Sequence, residues 1–131
     1  MIKTADTSCS CEVRGAVNFN ERKVDAPDIL LLHYTGMPDG EQALNWLCVE
    51  ESQVSCHYLV HEDGRIVQMV SEADRAWHAG AGSWGGSDDI NSRSIGIEIV
   101  KDRAEIERDP ELRNQIVQAC FERGLLILGC G

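Results

Sequence analysis

Residues 94–100 read Ser94-Ile95-Gly96-Ile97-Glu98-Ile99-Val100 and place one carboxylate inside a β-branched run. Such a run is typical of a strand that is covered on both faces of a sheet. A carboxylate there is costly unless it is paired, hydrogen-bonded or part of a functional site. The residues alone leave two interpretations of Glu98 open, an outward-facing side chain on an edge strand or a functional carboxylate.

A second apolar run, Ile29-Leu30-Leu31-Leu32, lies earlier in the chain and leads directly into His33. It predicts another buried strand. A rigid strand fixes the imidazole at its end, as a metal ligand or a catalytic base requires. The alternative for His33 is a structural histidine bonded to a backbone carbonyl.

The remaining patterns predict helices and short strands in alternation. They indicate a helix opened by Asp39 and Gln42, a hairpin of strands 54–60 and 65–70 around Asp63-Gly64, a glycine-rich loop over 80–86, a helix from Asp109 to Gly124 and a last strand at 125–128. This order predicts one α/β domain at 28–131, with a mixed central β-sheet flanked by helices. Residues 1–27 lack a sustained period and are expected to form an N-terminal arm or irregular lead-in.

Composition narrows the classes of partner. The net charge of −10 argues against nucleic acid, which requires clustered Lys and Arg. The chain has no apolar run near the ~20 residues of a membrane span, and its first residues lack the apolar core of a signal peptide. We therefore expect a cytoplasmic protein. The sequence leaves its oligomeric state open.

Cysteine and histidine spacing gives weaker signals. The six cysteines form no Cys-x-x-Cys pair, and Cys48, Cys56 and Cys120 are expected to be small buried hydrophobes. His57 and His61 are four residues apart on an expected strand, which separates them by roughly 13 Å, too far to share one metal ion. His61 precedes a turn and is expected to be exposed.

Several motifs in order resemble the zinc-dependent N-acetylmuramoyl-L-alanine amidases, a family that includes the phage lysozyme-type amidases, the peptidoglycan-recognition proteins and the muropeptide-recycling amidases. The resemblance covers about residues 28–100. Its motifs are Leu32-His33-Tyr34-Thr35, Val54-Ser55-Cys56-His57-Tyr58, Asp63-Gly64-Arg65-Ile66-Val67-Gln68, Ala76-Trp77-His78-Ala79-Gly80, and Asn91 followed by Ser94-Ile95-Gly96-Ile97-Glu98.

This resemblance implies hydrolysis of the amide between N-acetylmuramic acid and the L-alanine of the stem peptide, with peptidoglycan fragments or muropeptides as partners. It implies zinc as cofactor, His33 as a zinc ligand and Glu98 as the catalytic carboxylate. His78 and Asn91 would line the substrate cleft. These roles agree with the chemistry, since zinc lowers the pKa of bound water to ~7 and a nearby carboxylate carries its proton.

The family pattern continues into a carboxy-terminal segment that supplies the other zinc ligands, and no such segment follows here before Gly131. A catalytic zinc site needs three protein ligands. We therefore expect impaired turnover, unless Cys130 takes the place of a missing ligand. The alternatives are a domain that binds muropeptide or peptidoglycan without catalysis, and an inactive chimeric chain.

Residues 97–131 also resemble part of the small domain of 4-aminobutyrate-type pyridoxal-phosphate aminotransferases. They hold neither the cofactor lysine nor the phosphate site of those enzymes. This resemblance implies a possible chimera, with a grafted helix and strand over about 99–131 and a junction near Gly96-Ile97-Glu98-Ile99-Val100.

Overall fold

A computed structural model describes residues 1–37, 39–80, 86, 88–100, 111, 114 and 126–129. Its strands are β1 (Glu12–Val13), β2 (Phe19–Glu21), β3 (Ile29–Tyr34), β4 (Tyr58–Val60), β5 (Ile66–Gln68), β6 (Asp74–Ala76), β7 (Ser94–Ile99) and β8 (Leu126–Gly129). Its helices are α1 (Gly40–Cys48), a 3₁₀ turn (Glu50–Ser52) and the short α2 (Ile90–Arg93).

Six of these strands form one mixed sheet in the order β1-β5-β4-β7-β3-β8, and β2 pairs with β6 in a second, two-stranded sheet. Strands β4, β3 and β8 run parallel to β7, whereas β5 is antiparallel to β4. The predicted mixed central sheet is confirmed. The edge-strand interpretation of Glu98 is wrong, because β7 lies between β4 and β3.

The register of β3 against β7 decides where the polar side chains meet. His33 pairs with Glu98, and Leu31 pairs with Gly96. Since alternate residues of a strand share one face, Ser94, Gly96 and Glu98 project to the same side as His33. The two parallel strands thus bring an imidazole and a carboxylate together near their carboxyl ends.

Helix α1 packs on the same face of the sheet as His33 and Glu98, over β4 and β5. Asp39 caps the helix, as predicted, and its side chain accepts a hydrogen bond from the amide of Glu41 at 3.0 Å. The buried side of α1 packs against a cluster that includes Leu59 of β4. A separate cluster around Leu30, Tyr58 and Ile95 covers the opposite face. The core therefore holds the sheet on both sides.

The first 27 residues contain two strands where irregular structure was expected. β1 pairs with β5 at the edge of the main sheet, and the amide of Ala16 extends this pairing to the carbonyl of Met69 at 3.0 Å. β2 pairs with β6. Both are too short to show a period in the sequence, so the irregular lead-in was the wrong expectation. The division of the chain at residue 27 stays a prediction.

Other expectations have mixed outcomes. The hairpin of β4 and β5 and the strand β8 are found close to their predicted positions. His61 is buried, contrary to the expectation, because its ring packs closely against Gly40 at the start of α1. Cys56 is buried as expected, but Cys48 is only half-buried.

The helix predicted from Asp109 to Gly124 lies largely outside the described residues, as does Cys120. Within the part of the chain that the structure describes, no helix has both the length and the apolar character to cross a membrane.

Candidate active site

Four of the five residues singled out as site residues lie close together on one face of β3 and β7, with His33 and Glu98 near the carboxyl ends of the strands and His78 and Asn91 nearer the start of β7. His33 and Glu98 come from these strands, His78 from the loop after β6, and Asn91 from α2. The fifth, Cys130, lies outside the described residues.

His33 and His78 form a hydrogen-bonded pair. Nε2 of His33 is 2.9 Å from Nδ1 of His78, and the two rings meet edge to face. On the far side of His78, Nε2 is 3.0 Å from Oγ of Ser94, which donates its own proton to the carbonyl of Ile90 at 2.7 Å. The hydroxyl must therefore accept a proton from His78 Nε2, so that His78 Nδ1 accepts one from His33.

Burial lowers the pKa of both imidazoles. Desolvation is the main cause at His33 and at His78, and the neighbouring His33 and His57 add to the effect at His78. Neutral rings fit the hydrogen-bond direction deduced above, since each ring then has one donor and one acceptor nitrogen. The pair is held in one tautomeric state by its surroundings.

His78 occupies this position because Gly96 leaves room for it. A Cβ at Gly96 would lie 2.6 Å from the His78 ring. Oδ1 of Asn91 accepts from the amides of His78 and Ala79 at 3.0 and 2.8 Å. Asn91 is buried and supports this loop.

Glu98 differs from its neighbours because its Oε2 is buried without a hydrogen-bond partner among the described residues. Desolvation raises the pKa of this carboxyl group from 4.5 to about 7. A group that titrates near neutral pH can both accept and release a proton during a reaction. This is the property expected of a catalytic carboxylate.

An open pocket of about 180 Å³ gives access to Glu98 and His78. One wall is apolar and comes largely from α1 and the segment before it. Trp46 stands on this wall with 49% of its surface exposed, close to Met37. The lining residues are Thr35, Met37, Ala43, Trp46, Leu47, Val54, Ser55, His78 and Glu98. Asn91 is not among these described lining residues, so its predicted place in the cleft wall stays a prediction.

His57 forms a second layer beneath the pair, a role that its spacing from His61 did not suggest. The amide of Gly96 donates to its Nδ1 at 3.0 Å, and its Nε2 is 2.9 Å from the carbonyl of Asp74. Burial lowers the pKa of His57 to about 4. His57 is therefore neutral at physiological pH, with its proton on Nε2.

The described donor set does not complete a zinc site. A catalytic zinc ion takes three protein ligands, and no group of three His, Cys, Asp or Glu among the described residues could hold a metal. Nε2 of His33 is also engaged with His78. His33 alone of the predicted ligands is described, so the role of Cys130 stays a prediction.

The model of the N-acetylmuramoyl-L-alanine amidase family matches residues 23–121. The chain belongs to this family. The match runs across the junction expected near residues 96–100, and it gives no support to an aminotransferase origin of the segment that follows.

Named relatives agree with the family. The chain is 34% identical over 90 residues to the 1,6-anhydro-N-acetylmuramyl-L-alanine amidase AmpD of Citrobacter freundii, a match that covers 56% of this chain and 48% of AmpD. It is 41% identical over 78 residues to the N-acetylmuramoyl-L-alanine amidase AmiD of Escherichia coli, covering 54% of this chain and 27% of AmiD. The matches thus span about half of AmpD and less of AmiD.

Solved structures show the same fold. A selenomethionine derivative of AmpD superposes with a TM-score of 0.72 at 22% identity, over 98% of this chain and 86% of that one. E. coli AmiD, in complex with anhydro-N-acetylmuramic acid-L-Ala-D-γ-Glu-L-Lys, superposes with a TM-score of 0.59 at 26% identity, over 86% of this chain and 56% of that one. The mixed sheet described above is the amidase fold.

Proposed function

We propose that this chain is an amidase domain that hydrolyses the amide between N-acetylmuramic acid and L-alanine in muropeptides or other peptidoglycan fragments. The observation that supports this most directly is the Oε2 of Glu98, which is buried without a hydrogen-bond partner among the described residues and lies beside His33 at an open pocket. The names of AmpD and AmiD, and the muropeptide bound in the AmiD structure, supply the substrate class.

Glu98 is proposed to carry the proton of the reaction. Its carboxylate takes a proton from the attacking water and returns it to the nitrogen of the departing L-alanine. A pKa of about 7 keeps both forms of the group populated at neutral pH. The apolar wall around Trp46 would hold the substrate over this carboxylate and limit access of bulk water.

Zinc is the family's cofactor, and its retention is the property on which turnover would depend. The described residues do not complete a three-ligand site. We propose His33 and Cys130 as ligands. The cytoplasmic location expected from the sequence likewise stays a prediction.

A second candidate function is muropeptide binding without catalysis. It is favoured by one observation, that the pocket is formed while the described ligand set falls short of three. Such a domain would recognise its ligand through the same apolar wall around Trp46 and the polar side chains of His78 and Glu98.

Zinc stoichiometry measured by elemental analysis tests the first candidate. About one zinc per chain, lost in both His33→Ala and Cys130→Ala, is the expected result, followed by release of L-alanine peptide from a muropeptide. A chain that holds no zinc and releases no peptide would overturn the amidase proposal. Calorimetric titration with the same muropeptide would then show whether the chain is a binding domain.

A further inference from the structure

Arg22 is a buried cation that no part of the proposed reaction uses. It follows β2 directly, and only 9% of its surface is exposed. A guanidinium cannot give up its charge at physiological pH, so its burial requires several good hydrogen bonds. Desolvation is the main influence on its pKa, which is lowered. A buried arginine of this kind needs a structural or functional reason.

The guanidinium group gathers main-chain carbonyls from two loops. Nε donates to the carbonyl of Glu72 at 2.8 Å, and Nη1 donates to those of Asn91 and Ser92 at 3.2 and 2.8 Å. Glu72 precedes β6, whereas Asn91 and Ser92 belong to α2. Arg22 therefore joins two segments that are far apart in the sequence.

The same group also contacts His57. Nη2 lies 3.1 Å from Nε2 of this ring. Because Gly96 donates to Nδ1 of His57, the ring proton is on Nε2 and is shared with the carbonyl of Asp74. The positive charge of Arg22 next to that N–H opposes protonation of the ring. The contact thus keeps the ring neutral, while the carbonyl of Asp74, which accepts from Nε2, fixes the tautomer that accepts from Gly96.

Both sets of contacts lead to His78. Arg22 fixes the main chain of Asn91, whose side chain binds the amide of His78. It also contacts His57, which binds the amide of Gly96 directly beneath the His78 ring. We propose that Arg22 is a positioning residue, whose buried fork of donors sets His78 against His33 by holding α2 to the segment before β6, with its charge packed against the neutral ring of His57.

The central test is independent of turnover. Nitrogen and proton NMR of the imidazoles reports the hydrogen bonds of His78 in the metal-free chain. In Arg22→Lys, an ammonium group replaces the planar fork and cannot reach all of these acceptors. We expect the His78 Nε2–H resonance to shift or to be lost through exchange with water. Unchanged His78 resonances in a folded Arg22→Lys chain would overturn the proposal.

Arg93→Lys is the matched control. Arg93 ends α2, is less buried than Arg22 and makes its ion pair with Asp28 at 2.7 Å. A general weakening of α2 would move His78 in this variant too. We expect its His78 resonances to stay in place, and an equal shift in both variants would overturn the proposal.

A further variant covers the case in which Arg22→Lys does not fold. His57→Gln leaves Arg22 intact and removes only the ring that links it to Gly96. We expect the Gly96 amide and the His78 ring to shift together. The Gly96 amide loses its acceptor in this variant in any case, so the His78 ring decides the test. If the His78 resonances do not move, the contact through His57 has no positioning role and the proposal fails.

The kinetic consequence rests on the proposed function. If the chain hydrolyses muropeptide, Arg22→Lys should lower kcat roughly 10- to 100-fold, with a much smaller change in KM, since small misplacements of site groups have effects of this size. Absence of turnover in the unsubstituted chain would contradict the amidase proposal alone. The NMR comparison would still decide the role of Arg22.

Discussion

Two regions of the site differ in how their polar groups are hydrogen-bonded. The floor consists of His57, His78 and Asn91, and the mouth is the part of the pocket at Glu98. In the floor, the imidazoles of His57 and His78 and the amide oxygen of Asn91 have partners within hydrogen-bond distance. At the mouth, Oε2 of Glu98 is buried and has no partner among the described residues. Hydrogen bonds thus fix these two histidines, whereas the structure describes no partner for this carboxylate oxygen. That carboxylate is the group proposed to move a proton.

The largest effect is expected in the floor. Asn91→Ala removes the acceptor of two amides, those of His78 and Ala79. Buried donors without acceptors cost about 1–3 kcal/mol each, so we expect the free energy of unfolding to fall by about 2–4 kcal/mol. Urea denaturation measures the change. Asn91→Asp keeps an acceptor oxygen and should lose less, and equal losses would show that this oxygen is unimportant.

At the mouth, a substitution of Glu98 should raise the free energy of unfolding instead of lowering it. The pKa of Glu98 is raised from 4.5 to about 7, so the folded chain keeps a proton that the unfolded chain loses, and stability falls as pH rises through this interval. In EDTA, Glu98→Gln should raise the free energy of unfolding by about 1–3 kcal/mol at pH 8 and change it little at pH 4.

Glu62→Gln is the control for this prediction, because Glu62 is an exposed carboxylate in the hairpin turn. It should show no such gain. If Glu98→Gln changes the free energy of unfolding by the same amount at pH 8 and at pH 4, the raised pKa of this carboxyl group is contradicted.

The close contact between His78 and Gly96 predicts a smaller loss. In Gly96→Ala the new methyl group would lie 2.6 Å from the His78 ring, and overpacking of this kind costs about 1–3 kcal/mol. A double-mutant cycle with His78→Ala isolates the contact. The alanine at position 96 should cost less when the ring is absent, and a constant cost would place the clash elsewhere.

The smallest change in stability is expected at the pocket wall. Trp46 is half exposed, so Trp46→Ala should alter the free energy of unfolding by about 0.5 kcal/mol or less. Muropeptide affinity, measured by calorimetry, should nevertheless fall roughly five- to tenfold, as for an aromatic contact residue. Val49→Ala, at an exposed apolar residue outside the pocket lining, should leave affinity unchanged. Equal affinities in both variants would remove Trp46 from the binding surface.

Local patterns in the sequence determined the elements and two of the site residues. The apolar runs located β3 and β7 and marked His33 and Glu98 near their ends. A polar side chain in a buried strand costs free energy unless it is hydrogen-bonded, paired or part of a site. Asp39 located the start of α1 by its capping chemistry, and Asp63-Gly64 located the hairpin by its turn preference.

Only the tertiary structure decided which polar groups meet. The pairing of His33 with His78 joins residues 45 positions apart, and that of Arg22 with Asn91 joins residues 69 apart. Periodicity and propensity act over a few residues and carry no information about such contacts. The space above Gly96, the burial of His61 and the positioning contacts of Arg22 follow from the order and register of strands, which are fixed by packing of the whole sheet.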